Sequence, residues 1–259
     1  MGTDNLQNRN GGYTYEYPRP AMTADCVIFG FDGRGLKILL IERGVEPYKG
    51  YWALPGGFMK MEETIEECAI RELREETGVT NIYLEQFCCF SSVGRDPRGR
   101  VVTVAFIALV RPADYQVVGG DDARAAEWFD ADMLPPLAFD HTEIIEAARV
   151  RLREILTLRP AAFYLLDEIF TVDELRRVYE VINGITYDRR NFHRKLMQSH
   201  LVEDVDSRTL MASTTTAPCK SSIAAPRGRK PKFFRLSKRR NRDTDSDIEE
   251  GSIKDLFTF

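Results

Sequence analysis

The chain has 259 residues, 43% of them hydrophobic, enough to bury the cores of one or two domains; two is the expected count. No apolar run approaches the roughly 20 residues needed to span a bilayer, and residues 1–20 lack the basic start and apolar stretch of a secretory signal, so a soluble, cytoplasmic protein without a membrane partner is expected. The net charge of −4 conceals an asymmetry: −8 over residues 1–158, +9 over 159–242 and −5 over 243–259, the pattern of an acidic body, a basic module suited to a polyanion, and an acidic tail.

Residues 1–20 read as a flexible N-terminus. From Asp25 the pattern becomes that of strands: Cys26 to Phe31, a turn at Asp32-Gly33-Arg34-Gly35, then Leu36 to Ile41, a hairpin by its turn chemistry. Trp52 to Gly57 reads as a loop. Thr64 to Thr77 is predicted helical, with Thr64 and Glu67 able to form a capping box, Gly78 as the stop, and Ile65, Ala69, Ile70 and Leu73 as its apolar face. Strands are predicted at 82–90 and 101–110, a short one at 127–129, and a helix at 142–158 with Ile144, Ile145, Ala148, Leu152 and Ile155 inward. This irregular alternation predicts one mixed α/β domain over residues 21–158.

A boundary is expected at Arg159-Pro160, where proline ends the helical pattern. Three short helical segments follow, about 162–169, 172–183 and 189–199, the second opened by the capping pair Thr171 and Glu174, with Leu175, Val178, Tyr179 and Ile182 on one face. Two strand-like segments, 201–205 and 233–236, flank a Ser/Thr/Ala-rich insertion at 206–227 that is expected to be mobile, and a charged tail occupies 237–259. The five cysteines are scattered and odd in number, which speaks against a disulfide framework and a zinc site.

The chemistry concentrates in Gly57, Glu63 and the run Arg71-Glu72-Leu73-Arg74-Glu75-Glu76-Thr77-Gly78-Val79. On a helix, Glu72, Glu75 and Glu76 stand at i, i+3 and i+4, so their carboxylates face one side and repel one another unless a cation sits among them. Hard oxygen ligands select Mg²⁺ or Mn²⁺, which completes its shell with water and phosphate oxygens. A glutamate-rich helix is more often a solvated face, but such a helix has no reason to follow Leu54-Pro55-Gly56-Gly57, a tight turn able to offer a carbonyl. Residues 20–158 resemble a Nudix domain, an α/β/α sandwich that cleaves nucleoside diphosphates linked to another group. The resemblance implies Glu75, Glu76, the Gly56 carbonyl and Glu72 as metal ligands, with Glu72 alternatively the base, and Glu63 and Arg71 as orienting residues. It also places Arg95, Asp96 and Arg98 in a substrate-touching loop, although the same string could equally be a salt-bridged turn.

Three short helices and two strands outline a winged helix-turn-helix, which sets its third helix in the DNA major groove. That helix would present Arg189, Arg190, Asn191, Arg194 and Lys195 outward, with Phe192 and Leu196 anchoring it, while Arg229, Lys230 and Lys232 form the basic wing edge. Together the two parts resemble the Nudix-related transcriptional regulators, whose effectors are ADP-ribose or a sugar. The resemblance implies a ligand-sensing regulator that binds double-stranded DNA as a homodimer and retains a pyrophosphohydrolase site, likewise for a nucleoside diphosphate-linked molecule of the ADP-ribose type; the alternative is a hydrolase without a DNA role. The insertion and the acidic tail depart from the family pattern.

Overall fold

A computed structural model describes residues 15–80, 82–115, 123–205 and 232–237. Residues 1–14 of the N-terminal segment, the 206–227 insertion, Arg229, Lys230 and the acidic tail fall outside these residues. Strands β1 (Ala21–Phe31), β2 (Leu36–Arg43), β3 (Trp52–Ala53), β4 (Gly56–Phe58), β5 (Tyr83–Phe90), β6 (Val101–Val110) and β7 (Ala123–Asp130) make one mixed sheet. Its main order is β3-β2-β1-β6-β5, with β4 pairing to β1 and β7 to β2. β1 and β6 run parallel in register from Ala21↔Val101 to Gly30↔Val110, while β1 and β2 form the expected antiparallel hairpin. Asp32 closes that hairpin by accepting the Arg34 and Gly35 backbone N–H groups.

Side chains along the central strands divide by parity, because successive residues point to opposite faces. Val27, Phe29, Ile38, Leu40, Ile107 and Leu109 face one side, and Cys26, Ile28, Leu39, Phe106 and Ala108 the other. Helix α1 (Ile65–Thr77) covers the second face through Cys68, Ala69 and Leu73. Helix α2 (His141–Leu158) covers the first through Ile144, Ile145, Ala148, Leu152 and Ile155. The result is the expected α/β/α sandwich. Thr64 and Glu67 make the capping box and Gly78 adopts the left-handed stop at φ 71. Ile70, expected on the apolar face, is exposed; the inward stripe is set by Cys68, Ala69 and Leu73 instead.

Beyond α2 the first helical segment is only a 3-10 turn, Ala161–Leu165, rather than a helix to 169. The chain extends from Leu166 because Phe170 must bridge to Phe234 of the wing. Helices α3 (Val172–Asn183) and α4 (Arg189–Gln198) follow, then the two-stranded wing of β8 (Val202–Asp204) and β9 (Phe234–Leu236). Asp188 caps α4 through the Asn191 N–H, and Glu180 holds the intervening turn by accepting the Tyr187 N–H at 3.0 Å. Leu175, Val178, Tyr179, Phe192, Leu196 and Phe234 belong to the same apolar cluster as the α2 face of the sheet, so a continuous core runs beneath both parts. No described helix is long and apolar enough to cross a membrane.

Candidate functional site

A cleft of about 290 Å³ opens where β1, β4, α1, the 94–99 loop and the start of α2 meet. The segment expected to be a loop supplies β4, whose residues Ala24↔Gly57 and Asp25↔Gly56 pair with β1. Both glycines are required by close approach. A Cβ on Gly56 would run into the Ala24 carbonyl, and one on Gly57 would overlap the Glu72 carboxylate.

Arg71 organises the acidic floor. Its Nε and Nη2 donate to Glu63 at 2.9 and 2.6 Å, its Nη1 to Glu72 at 2.6 Å and to Glu75 at 3.1 Å, and Nη2 also reaches the Phe58 carbonyl at 3.1 Å. The Glu63 carboxyl is thereby drawn down to about 2 by the Arg71 hydrogen bonds. Glu72 and Glu76 both line the cleft, whereas Glu75 is exposed and meets Arg71 outside the lining. The three carboxylates therefore share a helix face but not one cleft wall.

Glu76 is nearly buried and accepts the Gly56 N–H at 2.8 Å. Burial, together with the charges of Glu72 and Asp25, raises its carboxyl to about 8, even against the Gly56 hydrogen bond. Burial likewise raises Glu72. Thr23 Oγ1, also at the cleft, is buried without a hydrogen-bond partner among the described residues. Among the described residues no three Asp, Glu, His or Cys side chains already stand close enough to hold a metal ion, and Arg71 bridges two of the glutamates. The donor set nevertheless fits a divalent cation: the carboxylates of Glu72, Glu76 and Asp25 line one cleft, and burial disfavours the charged forms of Glu72 and Glu76.

The opposite wall is basic and aromatic. Arg98 pairs with Asp96 at 2.6 Å and lies 4.8 Å from the Phe58 ring and 5.5 Å from that of Phe139. The Arg43 guanidinium lies over the Phe139 ring, 4.9 Å from its centroid. Arg95 is almost fully buried, donating to Asp140 at 2.8 and 2.6 Å and to Asp25 at 3.4 Å. The Arg95-Asp96-Arg98 string is thus a salt-bridged turn that also lines the cleft. His141 Nδ1 accepts the Leu54 N–H at 2.8 Å, which puts the neutral ring's proton on Nε2, 3.9 Å from Asp25; burial depresses its basicity. Spacing did not reveal Asp25, Arg43, Phe58, Phe139, Asp140 or His141. The available signal was a lone carboxylate, Asp25, inside an otherwise apolar strand.

On α4, Arg190 and Arg194 are exposed, but the outward set is smaller than expected. Asn191 and Lys195 are half-buried because they flank the buried Phe192 and Leu196. Arg189, though exposed, pairs with Asp173 at 2.6 Å, and Arg194 bonds the Asn191 amide oxygen at 2.5 Å. In the wing, Lys232 pairs with Asp204 and Arg235 with Glu203.

Residues 19–148 match the NUDIX domain model, and residues 162–217 match the NrtR DNA-binding winged helix domain model. The chain is 38% identical over 195 residues to the ADPR responsive transcriptional repressor NtrR of Acinetobacter baylyi, covering 74% of this chain and 78% of that protein. It is 45% identical over 130 residues to the ADP-ribose pyrophosphatase of Methanocaldococcus jannaschii, covering 50% of this chain and 73% of that protein. The crystal structure of Shewanella oneidensis NrtR complexed with a 27mer DNA is similar at a TM-score of 0.68 and 32% identity, covering 83% of this chain and 93% of that one.

Proposed function

This chain belongs to the Nudix family, with a winged helix of the NrtR type, and from that premise we propose that it is a cytoplasmic transcriptional repressor whose Nudix cleft binds and hydrolyses ADP-ribose. The carrying observation is that Leu54 and the start of α2, which line the carboxylate cleft, share one core with Phe192 and Leu196, the anchors of the helix that exposes Arg190 and Arg194. A ligand that alters the cleft therefore acts on the body to which the recognition helix is packed.

In this reading Glu72, Glu76 and the Gly56 carbonyl would hold Mg²⁺ or Mn²⁺ from the cleft lining, with Glu75 reaching it from outside that lining; a bound cation would lower the pKa of water and neutralise phosphate charge. Arg71 and Glu63 fix the cluster, with Arg71 holding Glu72 and Glu75 in place by hydrogen bonds. Arg95 and Arg98 meet the ligand's phosphates, with Asp96 steering Arg98; Phe58 and Phe139 offer flat apolar faces to the planar base. Arg190 and Arg194 address DNA directly, supported by Arg189, Asn191, Lys195 and Lys232 and by Arg229 and Lys230, in a two-fold dimer that matches paired half-sites.

The test is fluorescence anisotropy on DNA fragments selected from the host genome, titrated with ADP-ribose and Mg²⁺, alongside product analysis. Release of DNA and formation of AMP and ribose 5-phosphate are expected. Hydrolysis without any DNA binding reduces the protein to a hydrolase, and no response of either kind defeats the proposal.

A further inference from the structure

The residue before α2 is an aspartate in the position where a carboxylate ordinarily caps a helix N-terminus, yet Asp140 makes no side-chain cap bond. Its two oxygens are both spent on the Nε and Nη2 edge of Arg95, at 2.8 and 2.6 Å. Forgoing a cap costs about 1 kcal/mol of helix stability, so a carboxylate placed there and turned away serves something else. Arg95 itself is only 4% exposed in its side chain, which locks the guanidinium plane. Nη2 is held from a second side by Asp25, and Nη1 has no hydrogen-bond partner among the described residues, although Arg95 lines the cleft.

We propose that Asp140 is a positioning residue for ligand binding: it clamps one edge of Arg95 so that the Nη1 donors are presented, already oriented, to an anionic phosphate in the cleft. The inference rests on the reading of the cleft as a phosphate-ester site and adds to it the residue that sets its geometry. A guanidinium fixed in this way loses little rotamer freedom when the anion arrives, so the clamp acts on binding and leaves bond cleavage to the acidic floor. The other groups near Arg95 are Asp25, Asp96 and His141, and none can substitute for the clamp: the Asp96 carboxylate is taken by Arg98. Asp25 touches a single nitrogen, and His141 directs Nδ1 to the Leu54 backbone.

The experiment is steady-state hydrolysis of ADP-ribose with Mg²⁺ by the full chain, comparing wild type, Asp140→Asn, Arg95→Ala and the double variant. Asp140→Asn is expected to raise KM about tenfold with kcat within about twofold, because a charge-assisted clamp is weakened while the floor is untouched. In the Arg95→Ala background the same substitution is expected to change KM by less than about twofold, the non-additivity that marks action through one partner. Arg95→Lys keeps the charge, lacks the paired edge, and should reproduce the KM increase if Asp140→Asn melts too early to assay. Unchanged KM in Asp140→Asn, or an equal effect in both backgrounds, overturns the inference while the cleft assignment stands. A wild type that neither hydrolyses nor is thermally stabilised by ADP-ribose and Mg²⁺ overturns both.

Discussion

The Glu72 carboxylate passes so close above Gly57 that any side chain at that position would occupy its place. The neighbouring Gly56 is confined by backbone, since its Cβ would strike the Ala24 carbonyl. The two glycines therefore fail differently. Gly57→Ala is expected to push aside the movable end of Glu72, breaking its bond to Arg71, with a small change in melting temperature and a loss of hydrolysis. Gly56→Ala must shift β4 away from β1 and is expected to cost about 1–3 kcal/mol. Thermal melts paired with activity assays separate the two, and equal destabilisation would contradict the geometry.

The Glu63 carboxyl, held near 2 by Arg71, has a pH signature. Its folded-state value lies below the unfolded one, so it contributes stability above about pH 4.3 that is lost as pH falls through the folded value near 2. In metal-free buffer, Arg71→Gln should lower the melting temperature at pH 7, and the gap to wild type should close between about pH 5 and 2. A gap that stays constant over that range would show that Arg71 stabilises through packing alone.

Capping chemistry made the helices legible. The boxes at Thr64/Glu67 and Thr171/Glu174, with Gly78 as a stop, mark ends that the structure keeps, and α3 spans the predicted residues without a shift. Strands β3 and β4 were not legible, because two and three residues containing Gly56 and Gly57 carry no alternation to read. The acidic floor could be anticipated, since Glu72, Glu75 and Glu76 lie within five residues on one helix. Of the opposing wall only the Arg95-Asp96-Arg98 loop could be anticipated: Asp25, Arg43, Phe139 and His141 converge with it from separate elements, and their meeting is a product of sheet order. Nor does spacing show that Arg189 is taken by Asp173, a contact between two helices.

That contact separates two neighbours on α4. Arg190 is exposed and available to DNA, whereas Arg189 must first give up Asp173. Arg190→Ala is expected to weaken DNA binding by about 1–3 kcal/mol, and Arg189→Ala by clearly less. Anisotropy titrations across a salt series test this ordering. A dominant Arg189, or no salt dependence in the wild type, would sink the assignment of α4 as the recognition helix.

Glu76 yields the last prediction, in which one substitution has opposite effects with and without metal. Burial lifts its carboxyl to about 8, above the unfolded value, so ionisation in the folded protein is a penalty that grows as pH rises past the ordinary carboxylate range. Replacing it by glutamine removes the ionisable group and retains the acceptor oxygen for the Gly56 N–H. In the presence of chelator, Glu76→Gln should therefore melt higher than wild type, with the advantage largest near pH 8.5 and fading below about pH 5. A saturating divalent cation binds the folded wild type and stabilises it by mass action, and the variant should lose that gain together with hydrolysis. Differential scanning fluorimetry with and without Mg²⁺ from pH 5 to 8.5 reads both effects. A variant that melts lower than wild type in chelator at pH 8.5 would show that the buried carboxylate is already compensated within the protein, and the cleft would then have no electrostatic need of a cation.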